Sequence, residues 1–197
     1  MSIAASPSVR AAVTSTPILG VLADRWSPRS YDPASTVSDE ALTAALEAAR
    51  WSPSANNIQP WRFIVARRGS HEFDTITGLL MGFNQAWASS ASALIVGLAE
   101  VRNPDGKPQA WASYDLGQAI AHLSVQAHHD GLHVHQMGGF DADGIRSAFN
   151  VDARLEAISV SAIGILGTPE ALPDALRERE VAPRTRLELD EIVLVNA

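Results

Sequence analysis

Cysteine is absent from this 197-residue chain, which excludes disulfide scaffolds, thiolate nucleophiles, iron–sulfur clusters and cysteine-ligated zinc. Lysine is nearly absent: Lys107 stands beside fourteen arginines, in the turn-like run Asn103-Pro104-Asp105-Gly106-Lys107-Pro108, a poor setting for a buried Schiff-base lysine. No apolar stretch approaches the ~20 residues of a membrane-spanning helix, and the N-terminus lacks the charged-then-apolar order of a secretory signal. The expectation is a soluble, cytoplasmic protein without a membrane partner. Neither G-x-G-x-x-G after a strand nor G-x-x-x-x-G-K-[ST] occurs, so the dinucleotide fingerprint and the P-loop are missing. H-E-x-x-H and G-x-S-x-G are missing too, which argues against a zinc protease and a serine hydrolase. A formal net charge of −7 disfavours general attraction to nucleic acid.

What remains is a globular balance, with 46% hydrophobic and 19% charged residues, and a length that fits one domain over residues 1–197. Residues 9–22, from Val9 to Leu22, read as a first helix despite Pro17. Ser38 caps a second, in which Ala41, Leu42, Ala45, Leu46 and Ala49 recur at helical spacing before Pro53. Residues 60–66 and 93–98 read as strands, with a helical stretch from Leu79 to Ala91 between them. Residues 114–130 form the clearest helix, closed by Gly131. An extended piece (132–137), a short helix (141–149), a strand (157–166), the charged run 175–180 and a final strand Glu191–Val195 complete the chain. Helices and strands mix without strict βαβ alternation, which favours α+β over a doubly wound sheet.

Arg25-Trp26-Ser27-Pro28-Arg29 and Arg184-Thr185-Arg186 lie at opposite ends of the chain. On spacing alone each is either a solvated arginine patch or part of a phosphate site, which guanidinium binds through forked hydrogen bonds. Ser52-Pro53-Ser54-Ala55-Asn56-Asn57-Ile58-Gln59-Pro60-Trp61 is rich in amides and hydroxyls. It is either a helix stop followed by Asx-type turns or a loop that reads a heterocycle. Met137-Gly138-Gly139-Phe140-Asp141 is either an ordinary turn capped by Asp141 or a backbone approach to a flat ligand. His133 and His135 alternate on one strand face near His128 and His129, and are read as partly exposed polar positions rather than metal ligands; His71 is read as surface.

These four motifs, in this order from Arg25 to Arg186, resemble the FMN-dependent nitroreductase family, whose members carry R-x-S-x-R, P-S-x-x-N-x-Q-P-W, a G-G-F-like turn and a late R-x-R. The resemblance spans nearly the whole chain. It implies that Arg25, Ser27, Arg29, Arg184 and Arg186 hold an FMN phosphate, with Trp26 among them. Pro53, Ser54, Asn57 and Gln59 would line the ribityl chain and ring, and Asn84 the pyrimidine edge. Met137, Gly138 and Gly139 would form the hydride site, the Gly138 backbone amide facing the flavin nitrogen. Trp87 stands where some relatives carry a lysine, and Trp111 is the nearest aromatic to cover a substrate. The implied fold is a homodimer with a mainly antiparallel sheet flanked by helices and a C-terminal strand exchanged between subunits. The implied activity is ping-pong hydride transfer from NAD(P)H to a nitroaromatic, quinone or other electron-poor small molecule. The same fold also serves aldehyde or enoate reductases and flavin-consuming enzymes, and a flavin-storing or flavin-sensing module is the non-enzymatic alternative.

Overall fold

The computed structural model describes residues 10–196. Four strands form one antiparallel sheet in the order β1-β2-β4-β3: β1 (Trp61–Arg67), β2 (Ala93–Glu100), β3 (His133–Met137) and β4 (Leu155–Gly164). The central strand β2 is buried at all eight positions, because helices cover both faces of the sheet. Its alternate residues Leu94, Val96 and Leu98 join one core with Phe73, Ile76, Trp87, Val160 and Ala162. Ala93, Ile95 and Ala99 join the other, with Leu42, Ala45, Leu116, Ala119 and Leu123. A strand buried on both sides reads as an unbroken apolar run, as 93–98 does here. The arrangement is α+β, an open antiparallel sheet between helical layers.

On the second face lie α2 (Asp39–Arg50) and α5 (Ala112–His129). The Ser38 hydroxyl accepts the Ala41 amide and so caps α2, as its sequence predicts. Gly131 follows α5 at φ +81°, a left-handed helix stop that suits glycine. The first face is covered by α3 (His71–Leu79), α4 (Gly82–Ala88) and α6 (Ala142–Ala148). The Asp141 side chain accepts the Gly144 amide at the start of α6. Among the described residues no helix is long and apolar enough to cross a membrane, and no group of three or more histidine or acidic side chains is placed to hold a metal.

Two helical expectations need correction, and one helix is not among the expectations at all. The first helix is only α1 (Gly20–Asp24); Val9 lies outside the described residues, and Pro17 obstructs helix before it. The stretch from Leu79 to Ala91 is two helices, because Leu80 and Met81 are extended (ψ 150° and 144°) and Leu80 bridges to Phe140. The preceding α3 is missed altogether, although Ser70 caps it through the Phe73 amide and Phe73 and Ile76 are buried three residues apart.

The final strand is also absent from the single chain. After α7 (Asp174–Val181), residues Leu189–Ile192 form a helical turn, α8, in which Glu188 and Glu191 make a reciprocal capping box. Local capping prevails because the segment pairs with neither sheet edge, β1 or β3. Leu187, Leu189, Ile192, Leu194 and Val195 are left exposed, Leu194 at 90%.

Leu116 is fully buried between α5 and the sheet. Leu116→Ala is expected to cost about 2–5 kcal/mol in chemical unfolding, whereas Lys107→Ala in its exposed turn should stay within about 0.5 kcal/mol.

Candidate functional site

Arg25 leaves α1 in an extended conformation (φ −61°, ψ 132°), and Trp26 to Arg29 continue outside helix and strand. Pro28 is buried, and its carbonyl accepts the His135 Nδ1–H from β3 at 2.8 Å. The next two amides, of Arg29 and Ser30, donate to the carboxylate of Glu180 on α7 at 2.9 and 3.0 Å. Glu180 is only 2% exposed, so a desolvated carboxylate latches the C-terminal helix onto the N-terminal loop. Beyond α7, the Arg184 guanidinium donates to the carbonyls of Arg10 and Ala23, both at 2.7 Å. Arg10 donates to the Ala182 carbonyl at 2.8 Å and lies 4.1 Å over the Trp26 ring.

These contacts enclose a hollow of about 180 Å³ lined by Arg10, Arg25, Arg29, Arg179, Arg184 and Arg186, with Trp26 and Ser27. The volume is roughly that of six waters, room for a small anionic group. Burial lowers the Arg25 pKa, and Arg186 lowers it further. Burial also lowers Arg184, with repulsion from Arg25, Arg186 and Arg10, while Asp24 opposes. For Arg29 burial again dominates, Glu180 offsets part of it, and Arg179 and Arg10 add to the lowering. The Arg29 Nε is buried without a hydrogen-bond partner. Cations held this close, one with an orphaned donor, are the electrostatic complement of an anion.

A second group forms at the end of β3. The Gly139 carbonyl accepts both the Met81 amide and the Asn84 Nδ2, each at 3.0 Å. The Asn84 amide nitrogen is thus committed to the turn. A Cβ on Gly138 would meet no atom within 4 Å, whereas one on Gly139 would stand 3.0 Å from Asn84 Nδ2 and 3.3 Å from Met81 Sδ. Neither glycine has positive φ, so their value lies in open space at Gly138 and close packing at Gly139. Helix α4 ties this turn to the hollow, since the Phe83 ring faces Arg29 at 6.0 Å and Arg179 at 5.4 Å.

The segment carrying Pro53, Ser54, Asn57 and Gln59 is built differently. Asn56, Asn57 and Gln59 all sit in the left-handed region, at φ 51°, 55° and 50°, each costing on the order of 1 kcal/mol, least for asparagine. The Ser54 hydroxyl closes the loop by accepting the Gln59 amide at 3.0 Å, and the Gln59 side chain donates to the Asn57 carbonyl at 3.1 Å. Pro53, Asn57 and Gln59 are exposed. Among the described residues, no hydrogen bond or ring contact joins this loop to the arginine hollow or the glycine turn.

The remaining candidates separate. Trp87 is 2% exposed, packed between Tyr31 (6.2 Å) and His135 (4.6 Å); it belongs to the core and not to a substrate-facing wall. Met137 is likewise buried in that core. Trp111 is 61% exposed at the start of α5, edge-on to Tyr114. Sequence reasoning missed Glu180, Arg10, Arg179 and Phe83. It also missed a chamber of about 950 Å³ beside the hollow, walled by Trp26, His128, His133, Leu166 and Val181. The adjacent pair His128 and His133, whose rings meet edge-on at 5.1 Å, was its nearest signal.

Burial holds the His133 pKa at about 4, with help from His128, and holds His135 at about 4 although its bond to Pro28 works the other way. The unfolded value is near 6.5, so the unfolded chain binds more protons between these limits. The stability these neutral rings contribute is complete above pH ~6.5 and is lost as pH falls towards 4, at roughly 1–3 kcal/mol per ring. Urea unfolding from pH 7 to 5 should show a shallower loss for the double variant His133→Gln, His135→Gln than for wild type; parallel curves would contradict the assignment.

A model of the nitroreductase family matches residues 22–94. A solved structure described as an oxidoreductase containing FMN is 38% identical and superposes with a TM-score of 0.87, the match covering 92% of each chain. An uncharacterized 15.4 kDa protein in the ask 5' region of Mycolicibacterium smegmatis is 37% identical over 139 residues, which are 66% of this chain and 92% of that protein. The major NAD(P)H-flavin oxidoreductase of Aliivibrio fischeri is 49% identical over 49 residues, 25% of this chain and 22% of that enzyme. With its fold, its four ordered motifs and these matches, the chain belongs to the nitroreductase family.

Proposed function

We propose that this chain is a single-domain FMN-dependent oxidoreductase that draws electrons from NAD(P)H and passes them to an electron-poor small molecule such as a nitroaromatic or quinone. The observation that carries this reading is the arginine hollow. Side chains from both ends of a chain of net charge −7 converge on one small space, repel one another there, and leave the buried Arg29 Nε unpaired. A terminal phosphate satisfies that arrangement. The glycine turn fits the other end of the cofactor, because the space at Gly138 lets a flat ring approach the backbone.

Bound FMN would supply two-electron chemistry in two half-reactions, oxidising NAD(P)H in the first and reducing the acceptor in the second. The chain's own residues bind and orient. Arg25, Ser27, Arg29, Arg184 and Arg186 would hold the phosphate, the Gly138 amide would face the reacting edge, and Asn84 keeps that turn in place through the Gly139 carbonyl. No side-chain acid or base is assigned. Trp111, exposed and backed by Tyr114, would cover the acceptor.

A homodimer completes the reading. Among the described residues, no hydrogen bond or ring contact joins the loop bearing Ser54, Asn57 and Gln59 to the hollow of its own chain, so a second copy would present it to the flavin. The exposed apolar residues between Leu187 and Val195 would be buried against that copy, where the terminal segment could pair as a strand. Use of NAD(P)H fits action in the cytoplasm.

The protein is expected to purify with, or take up, FMN, and the flavin should bleach on anaerobic addition of NADH or NADPH and recover with a quinone. A flavin that stays oxidised with both donors would favour the storage or sensing alternative. Arg25→Ala should weaken FMN binding about ten- to a hundredfold, the loss of one charge-assisted contact, and Lys107→Ala should leave it unchanged.

A further inference from the structure

The loop from Ser52 to Gln59 is fastened to α5 at two points. The Ala55 amide donates to Asp115 Oδ2 at 3.1 Å, and Ser52 Oγ is hydrogen-bonded to His122 Nδ1 at 2.7 Å. Asp115 is 2% exposed, on the face of α5 that buries Ala112, Leu116 and Ala119. Three acidic side chains are buried among the described residues. Glu100 is paired with Arg62 and Arg154, and Glu180 holds the Arg29 and Ser30 amides. Asp115 has no arginine or lysine partner among the described residues, and its side chain accepts one loop amide, from Ala55. A buried carboxylate without a counter-ion among the described residues is costly, so its presence on a helix face that otherwise buries three alanines, Leu116, Ile120, Leu123 and Ser124 calls for a task that an apolar side chain cannot perform.

That task is visible in the segment it grips. Asn56, Asn57 and Gln59 follow directly in left-handed conformations, which a free loop would leave. Loops held in their bound shape before the ligand arrives lose less entropy on binding. We propose that Asp115, assisted by the Ser52–His122 pair, is a positioning clamp that holds the Ser54–Gln59 loop in its flavin-receiving conformation while the site is still empty. The proposal rests on the FMN reading above. It assigns Asp115 and His122 no contact with the flavin; they act through Ala55 and Ser52.

The test uses full-length Asp115→Ala, Asp115→Asn and His122→Ala. Three quantities are read: amide hydrogen exchange of the flavin-free protein, the Kd for FMN, and the visible circular dichroism of the bound flavin. Asp115→Ala should speed exchange at Ala55 to Gln59 while Leu116 and Leu123 stay protected, raise the Kd tenfold or more, and change the flavin band. Asp115→Asn keeps an oxygen for the Ala55 amide and should restore most of the affinity. His122→Ala, an exposed change, should give a smaller effect of the same kind. Wild-type loop exchange and Kd in Asp115→Ala would overturn the clamp, as would equal loss of protection in loop and core. Should Asp115→Ala not fold, unchanged loop exchange in His122→Ala would overturn it. A wild-type protein that binds no FMN would instead overturn the oxidoreductase reading, and loop exchange in the flavin-free variants would still judge the clamp.

Discussion

The buried carboxylate of Glu180 joins the two ends of the chain, and the arginine hollow exists because of that bond. Two backbone amides, of Arg29 and Ser30, satisfy a charge that has left water, and the bond fixes α7 beside the segment that follows α1. Arg184 repeats the logic with opposite sign, its guanidinium held by carbonyls from Arg10 and Ala23. Both clasps use backbone groups as partners. Glu180 also stands 4.0 Å from the Arg29 guanidinium and offsets part of its charge, while no salt bridge among the described residues neutralises Arg25 or Arg186, which line the hollow as well.

The sheet supplies the rigid frame for this. His135 and Met137 lie two residues apart on β3, so the strand that grips Pro28 at one point delivers Gly138 and Gly139 about 10 Å further on, at ~3.3 Å per residue. Helix α4 adds a second connection, with Phe83 towards the arginines and Asn84 towards the glycine turn. On the opposite face of the sheet α5 carries the strained loop, and among the described residues no hydrogen bond or ring contact joins that loop to the arginine hollow or the glycine turn. That separation is what the proposed homodimer would bridge, with the loop of one copy presented to the hollow of the other.

Much of the fold is legible in the sequence where a pattern is strong and local. Ser38 followed by alanines and leucines at helical spacing marks α2, and the unbroken run from Ala93 marks the doubly covered β2. Helix α3 is obscured because Gly78 and two threonines dilute a pattern that rests on Phe73 and Ile76. The terminal Ile192-Val193-Leu194-Val195 shows the limit of propensity: a strand needs a ladder partner, and the capping box of Glu188 and Glu191 decides the local structure in its absence. The site divides in the same way. The arginine pairs and the glycine turn are legible as motifs, whereas Trp87 has the composition of a site residue and the burial of a core residue. Glu180 and Asp115 carry no local signal, because their partners are backbone amides 150 and 60 residues away.

The central claim is that the hollow exists to hold a phosphate, and the most direct test compares FMN with riboflavin, which differs only in lacking that group. Kd values are measured by flavin fluorescence on flavin-free protein at low and high salt. FMN should bind about a hundredfold or more tightly than riboflavin, with a gap that narrows as salt screens the arginines. Equal affinities, unchanged by salt, would contradict the account.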